Sequence, residues 1–355
     1  MEDILIPSNI IIRMPNWVGD MIMATPILTD LRKAFPEAKI TAMCRTPLCE
    51  LLEEDPDINE VFSFKRVSTF GRHSDRKGII EKLEKGNYDL GILLTNSLSS
   101  AWWFWQGKVK NRLGFDANGR KFLLTHPIPF PENVTKQHLV STYKSLLAPL
   151  GLAQSKTAPR IYLTEKEKQL ARTLLRQHGV LDHHKIVGIN PGATYGSAKC
   201  WLPERFRDIT QRLLQDKDTF IIYFGDQATA SLVKEICQGL SPRVINLAGL
   251  TSLRELASLL TFCNVLLTND SGPMHIASSL GIPIVAIFGS TSQTVTGPFT
   301  PAKVIQKSVE CSPCYQRTCP IDFRCMKKIE ANEVYEEIMN ALHQNKDELS
   351  VIQNN

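Results

Sequence analysis

Asp20 closes the run Asn16-Trp17-Val18-Gly19-Asp20, directly after the apolar stretch Ile10–Met14, which reads as a buried strand. Gly19 permits a tight turn or a close backbone approach. Asp20 then falls where helical periodicity begins, and the dipole there favours an ionised carboxylate. That carboxylate either caps the helix or, with a substrate beside it, takes a proton from a hydroxyl group. A junction of the same kind recurs far downstream as Thr268-Asn269-Asp270-Ser271-Gly272-Pro273-Met274-His275. Strand-to-helix junctions offer unpaired backbone N–H groups and a positive dipole end, which suit phosphate. Ser271 and Gly272 can present N–H groups to a diphosphate, and Ser271 adds a hydroxyl. Pro273 costs nothing in a first turn. Asp270 repels phosphate and suits sugar hydroxyls instead, while His275 either serves the ligand or is satisfied inside the core.

A third segment, Asn190-Pro191-Gly192-Ala193-Thr194-Tyr195-Gly196-Ser197-Ala198-Lys199-Cys200-Trp201-Leu202-Pro203, combines glycines, hydroxyls and one lysine after another apolar run. It reads as a phosphate loop, although it lacks the two glycines and Lys-Ser/Thr of a Walker A loop. Lys199 would meet phosphate as a point charge rather than a fork. Phe224-Gly225-Asp226-Gln227, at the end of the next apolar run, is a candidate wall for a nucleoside. No G-x-G-x-x-G occurs, which disfavours nicotinamide chemistry.

These segments need strands and helices to hold them. In the first half, strands are expected at Ile10–Met14, Ile40–Cys44, Val61–Phe64 and Asp89–Leu94, with helices at Met21–Phe35, Ser97–Gln106 and Lys136–Leu150. Thr125–Val134, rich in proline, reads as irregular. In the second half, strands are expected at Ile186–Asn190, Thr219–Phe224, Val244–Leu247, Val265–Thr268 and Ile284–Phe288. The expected helices there include Glu165–His178 and one opened by the capping box Ser252-Leu253-Arg254-Glu255. A helix at Ala331–His343 precedes a polar tail, Lys346–Asn355, expected to fray. Alternating strands and helices imply doubly wound parallel sheets, and 355 residues suit two domains. The boundary is expected near residue 160, with domains 1–160 and 161–355.

Hydrophobic content of 43% with 22% charged residues excludes a disordered chain. No stretch reaches the roughly 18 apolar residues that span a bilayer. Met1–Met14 carries acids before its apolar run and lacks a cationic start, unlike a signal peptide. A cytoplasmic protein with mostly reduced cysteines is the expectation. The net charge of +5 is unevenly spread. Lys65, Arg66, Arg72, Arg76 and Lys77 form one basic stretch, and Lys108, Lys110, Arg112, Arg120 and Lys121 another. They serve solubility, or an anionic partner such as phosphorylated glycolipid, membrane or nucleic acid. Trp102-Trp103-Phe104-Trp105 cannot bury all four rings on one helix face, so it is partly core or an interfacial patch. Cys311, Cys314, Cys319 and Cys325 lie close enough in sequence to hold structural zinc, or they are simply reduced thiols; the spacing is not that of a zinc ribbon.

Taken together, Pro15–Met21, Asn190–Ala193 with Ala198–Pro203, and Thr268–His275 resemble the ADP-heptose:lipopolysaccharide heptosyltransferases. The resemblance runs from Ile10 to about Pro301, and Trp17-Val18 with Gly196-x-Ala198-Lys199 bring it closest to the type II branch. It implies an α/β fold of GT-B type, two Rossmann-like doubly wound domains facing a central cleft, the first binding acceptor and the second the ADP-sugar. It further implies inverting transfer of heptose from ADP-L-glycero-D-manno-heptose to the heptosyl-Kdo-lipid A core, at the inner-leaflet membrane surface on the cytoplasmic side. By the same resemblance Asp20 is the general base and Lys199 the cation behind the departing ADP. Asp270 contacts heptose, Ser271 and Gly272 hold the diphosphate, and Thr194 is a further phosphate contact. Gly225, Asp226 and His275 complete the expected donor side, and Asn16, Trp17, Gly19 and Asn96 the acceptor side. Cys200 stands where many relatives have a basic residue, and Pro273 where they often have Leu.

Helix dipole, backbone N–H groups and Lys199 can stabilise the leaving group without a metal. Asp55-Pro56-Asp57 sits in a loop of the other domain, so no cofactor and no catalytic metal are expected. Three readings compete: a heptosyltransferase with another acceptor, such as the type I step onto Kdo; a sugar-nucleotide-binding regulator; and a basic nucleic-acid-binding protein. The last is disfavoured by three phosphate-type loops and no recognised finger spacing.

Overall fold

Ile10, Ile11 and Ile12 are fully buried in succession, as in strands covered by helices on both faces. The computed structural model describes residues 7–65, 73–152 and 154–353. The chain divides into two units, Met1–Tyr162 and Leu163–Asn355. Arg66, Arg72 and the opening residues of Met1–Met14 lie outside the described residues, as do Asn354 and Asn355.

The first unit is built on a six-stranded parallel sheet. Its strands are β1 (Asn9–Arg13), β2 (Lys39–Arg45), β3 (Glu60–Phe64), β4 (Leu90–Leu93), β5 (Asn111–Asp116) and β6 (His126–Pro129). Their order is β3-β2-β1-β4-β5-β6, so the winding reverses between β1 and β4. The helices are α1 (Val18–Ala24), α2 (Pro26–Ala34), α3 (His73–Gly86), α4 (Leu98–Gln106) and α5 (Leu139–Ser145).

Three of the segments read in the first unit fold differently from expectation. The single helix read over Met21–Phe35 is divided between α1 and α2, because Pro26 has no N–H to continue the ladder. The Thr25 hydroxyl donates to the Ile22 carbonyl and accepts the Arg160 N–H, which fixes the joint. The proline-rich stretch expected to be irregular contains β6, an edge strand whose outer side needs no donors, so Pro127 and Pro129 are tolerated. The helix read over Lys136–Leu150 is shorter: His138 caps α5 through the Val140 N–H, and only a 3-10 turn, Ala148–Leu150, follows across Pro149.

The second unit repeats the plan. Its strands are β7 (Lys185–Asn190), β8 (Thr219–Tyr223), β9 (Val244–Asn246), β10 (Val265–Asn269), β11 (Ile284–Phe288) and β12 (Lys303–Gln306). They lie in the order β12-β11-β10-β7-β8-β9, all parallel, with the reversal between β7 and β10. The helices are α6 (Glu165–Gln177), α7 (Pro203–Leu213), α8 (Ala230–Cys237), α9 (Leu253–Leu260), α10 (Gly272–Ser279), α11 (Gln293–Thr296), α12 (Arg324–Lys327) and α13 (Ala331–Gln353). The last continues through most of the tail that was expected to fray.

Capping boxes open both α6 (Thr164, Glu167) and α9 (Ser252, Glu255). Glu167 does two tasks: it closes its own cap and receives the Arg254 guanidinium from α9, with Nη2 2.7 Å away. Those hydrogen bonds hold its carboxyl down to about 2. The core between sheet and helices is large and apolar, with Trp201, Phe206, Tyr223 and Met326 among its buried side chains. No helix among the described residues is long and apolar enough to cross a membrane.

Candidate functional site

Open α/β sheets bind ligands beyond the carboxyl ends of their strands where the strand order reverses. In the first unit that place lies after β1 and β4, where Asn16–Asp20 and Asn96 are found. Trp17, in extended conformation, is the N-cap residue of α1 and makes no side-chain cap. Asp20 is therefore the third helical residue rather than the cap, inside the turn where the dipole acts. It is half-buried and close to Tyr143 on α5, whose phenol is raised well above its usual range first by burial and then by the Asp20 charge.

The two asparagines are positioned by arginines that no local motif singles out for this task. Arg13, at the end of β1, is buried; it donates to Asn16 Oδ1 at 2.6 Å and to the Met14 carbonyl, with its guanidinium over the Phe64 ring. Arg120 is fully buried and donates to Asn96 Oδ1 at 3.1 Å and to the carbonyls of Phe115 and Thr95. Burial pushes both guanidinium groups down to about 10, which leaves them charged at neutral pH. Two buried cations thus fix polar amides at neighbouring strand ends. Trp17 stands 45% exposed beside them.

In the second unit the reversal brings together the lysine loop after β7 and the junction after β10. Lys199 Nζ lies 2.6 Å from Asp270 Oδ2, and the same carboxylate accepts the Thr291 hydroxyl at 2.6 Å. Both members of the pair are largely shielded from solvent. Ser271 is the N-cap residue of α10, and its hydroxyl is held by Asn190 Nδ2 and the Thr268 hydroxyl, each at 3.0 Å. Asn269 ties the loop to β10 by donating to the Pro191 carbonyl and accepting the Trp201 N–H. Trp201 in turn is buried and donates from its indole to the Ile329 carbonyl.

The β8 junction completes this wall. Thr194 donates to Asp226 Oδ2 at 3.1 Å, and Asp226 Oδ1 takes the N–H and hydroxyl of Thr229 at the start of α8. A Cβ at Gly192 or at Gly225 would come within 2.5 Å of the Thr229 side chain, so close packing accounts for both glycines. His275 is buried within α10, one turn beyond Ser271. Lys199, Asp270, Ser271 and Gly272 therefore share one locality, and Thr194, Gly225 and Asp226 share the adjoining one. Thr291 was missed by sequence reasoning, since an isolated threonine after β11 carries no motif.

Other candidates resolve differently. Folding brings acids to the second basic stretch. Lys108 pairs with Glu84, Lys110 with Asp89 and Lys121 with Asp116, while Arg112 donates to backbone carbonyls. Along α4, Trp103 and Phe104 are buried, whereas Leu98, Trp102 and Trp105 form an exposed stripe at helical spacing, with exposed Phe122 on a 3-10 turn that α4 touches. Cys311, Cys314, Cys319 and Cys325 line one cavity of about 240 Å³ with Ala198 and Arg324, and all four are free thiols. Among the described residues, the metal-ligating atoms gathered within 4.8 Å of one another belong instead to His183, His184 and Asp218. That trio is a poor ligand set, because His184 Nδ1 already accepts the Leu181 N–H.

The family model described as glycosyltransferase family 9 (heptosyltransferase) matches residues 76–323. A lipooligosaccharide heptosyltransferase 2 from Campylobacter jejuni (serotype O:6) is 31% identical over 338 residues, covering 93% of this chain and 98% of that protein. The lipopolysaccharide heptosyltransferase 2 of Escherichia coli K12 is 28% identical over 310 residues, 84% of this chain and 88% of its own. The solved structure of E. coli ADP-heptose lps heptosyltransferase II superposes with a TM-score of 0.82 at 26% identity, covering 95% of this chain and 99% of that one.

Proposed function

The chain belongs to glycosyltransferase family 9, the heptosyltransferases, and from that premise we propose that it transfers heptose from ADP-L-glycero-D-manno-heptose to the heptosyl-Kdo-lipid A core of lipopolysaccharide, with inversion. The second unit binds the donor. Ser271 and Gly272 receive the diphosphate at the start of α10, Lys199 and Thr194 contact it, and Asp270 orients the heptose hydroxyls. Gly225, Asp226 and His275 line the rest of the donor pocket. The first unit binds the acceptor through Asn16, Trp17, Gly19 and Asn96.

In the reaction the Asp20 carboxylate takes the proton of the acceptor hydroxyl. The freed oxygen bonds to the anomeric carbon, and the bond from that carbon to the ADP oxygen breaks. ADP leaves with the electron pair, and its new charge is met by Lys199 and the α10 N-terminus. A dipole that keeps Asp20 ionised also weakens it as a base, so placement of the hydroxyl supplies much of the rate.

One observation carries this reading above the others: a lysine, a carboxylate, a hydroxyl and a helix N-terminus assembled at the strand-order reversal of the second sheet. Turnover needs no cofactor and no catalytic metal. In support, Asp57 is already engaged by Thr29 and Arg160, and Asp55 accepts the Asp57 N–H. The four cysteines line one cavity without their sulfurs gathering as a ligand set, and they take no part in transfer. The enzyme works at the cytoplasmic face of the inner membrane, and the exposed stripe on α4 meets the lipid surface. The nucleic-acid reading is weakened at the second basic stretch, where Lys108, Lys110 and Lys121 are paired locally.

Incubation with ADP-heptose and defined lipid A–core acceptors, read by mass spectrometry, tests the proposal. It predicts a gain of one heptose on the heptosyl-Kdo-lipid A acceptor and release of ADP. Gain only on an acceptor lacking the first heptose would favour the type I step, and no gain on any acceptor would refute the proposal.

A further inference from the structure

Lys199 does not carry an unopposed charge. Its ammonium lies 2.6 Å from a buried carboxylate, so the pair is close to neutral. A nucleoside diphosphate bears more than one negative charge, and one helix N-terminus supplies only about half a positive charge. A second cation is wanted near the lysine loop.

The segment between β12 and α12 supplies one. Its backbone is stitched to the loop: the Ala198 N–H donates to the Arg317 carbonyl at 3.0 Å, and the Tyr195 hydroxyl donates to the Tyr315 carbonyl at 2.7 Å. Gly196 is required by this contact, because a Cβ there would stand 2.2 Å from the Arg317 carbonyl oxygen. On the other side, the Tyr315 N–H donates to the Ser290 carbonyl, next to the Thr291 that bonds Asp270. The Tyr195 ring then receives two cations, with Lys199 Nζ 4.9 Å and Arg317 Cζ 5.2 Å from its centroid. Arg317 is exposed, and among the described residues no carboxylate pairs with it. Its neighbour Arg324, by contrast, is occupied by Asp322 and Glu310.

We propose that Arg317 is a second diphosphate-binding residue of the donor site, held beside Lys199 by the shared Tyr195 ring. An arginine fork binds two phosphate oxygens at once, which the lysine cannot do. This rests on the donor reading given above.

Calorimetric titration of the full chain with ADP and with AMP tests it. Arg317→Ala should weaken ADP roughly tenfold or more while AMP binding changes less than about twofold, because AMP lacks the second phosphate. Arg317→Lys should recover part of the loss, and Arg324→Ala should leave both ligands as in the parent. Equal loss of ADP and AMP in Arg317→Ala would reduce Arg317 to a buttress of the loop and overturn the proposal. Unchanged ADP affinity in Arg317→Ala, with Lys199→Ala weakened, would also overturn it while sparing the donor reading. Absence of ADP binding by the parent would remove both.

Discussion

At the scale of single residues, the chemistry depends on charges whose partners are set by folding. Lys199 illustrates this. The sequence marks it by its glycine- and hydroxyl-rich loop, but the Asp270 carboxylate beside it is seventy-one positions away. Because the pair is shielded, Lys199→Ala should lower kcat/KM by about 10²–10³, the scale seen when a group stabilising a developing anion is removed. Steady-state kinetics with ADP-heptose check this, and a parent-like value would remove Lys199 from leaving-group stabilisation. The places of Asp20 and Ser271 in the fold were legible for the same reason as that of Lys199: strand, turn and helix start are local signals. Arg13, Arg120, Tyr143 and Thr291 were not, because each acts through a partner that only the sheet or a distant helix brings near. A lone arginine ending an apolar strand, as at Arg13, is the one hint that was available.

At the scale of elements, helix caps proved readable and helix interiors less so. The Ser252 box survives intact, whereas Pro26 divides one expected helix and Pro149 shortens another. Edge strands such as β6 escape detection because prolines there break no ladder. The join between α6 and α9 gives a pH test. Glu167 is held at about 2, below the ordinary carboxylate value of 4.5, first by hydrogen bonds from Arg254. A depressed folded-state value means its contribution is complete above about pH 4.5 and drains as pH falls toward 2. Glu167→Gln should lower Tm at neutral pH and flatten the acid limb between those values, leaving the slope due to Asp216, which Lys185 holds down likewise. An unaltered acid limb would show that the pair adds nothing. The α4 stripe is also a property of an element: Leu98, Trp102 and Trp105 repeat at helical spacing on the exposed face. Replacing Trp102 and Trp105 with Ser should cut co-sedimentation with anionic phospholipid vesicles severalfold. Unchanged sedimentation would leave the stripe without a lipid role.

At the scale of the whole chain, one winding plan is used twice, with strand order reversing between β1 and β4 and again between β7 and β10. Doubly wound parallel sheets were implied by alternating strand and helix periods, although β5, β6 and β12 lacked a signal strong enough to name them and the places of the reversals come from the structure. The duplicated plan gives each unit one strand-order reversal, and the proposed function assigns a proton acceptor to the first and a diphosphate cradle to the second. Removing the carboxylate of Asp20 separates these roles most directly. In parallel measurements of heptose transfer and ADP binding, Asp20→Ala should lose turnover by at least about 10² while binding ADP within about twofold of the parent. Ordinary turnover by Asp20→Ala would contradict the account.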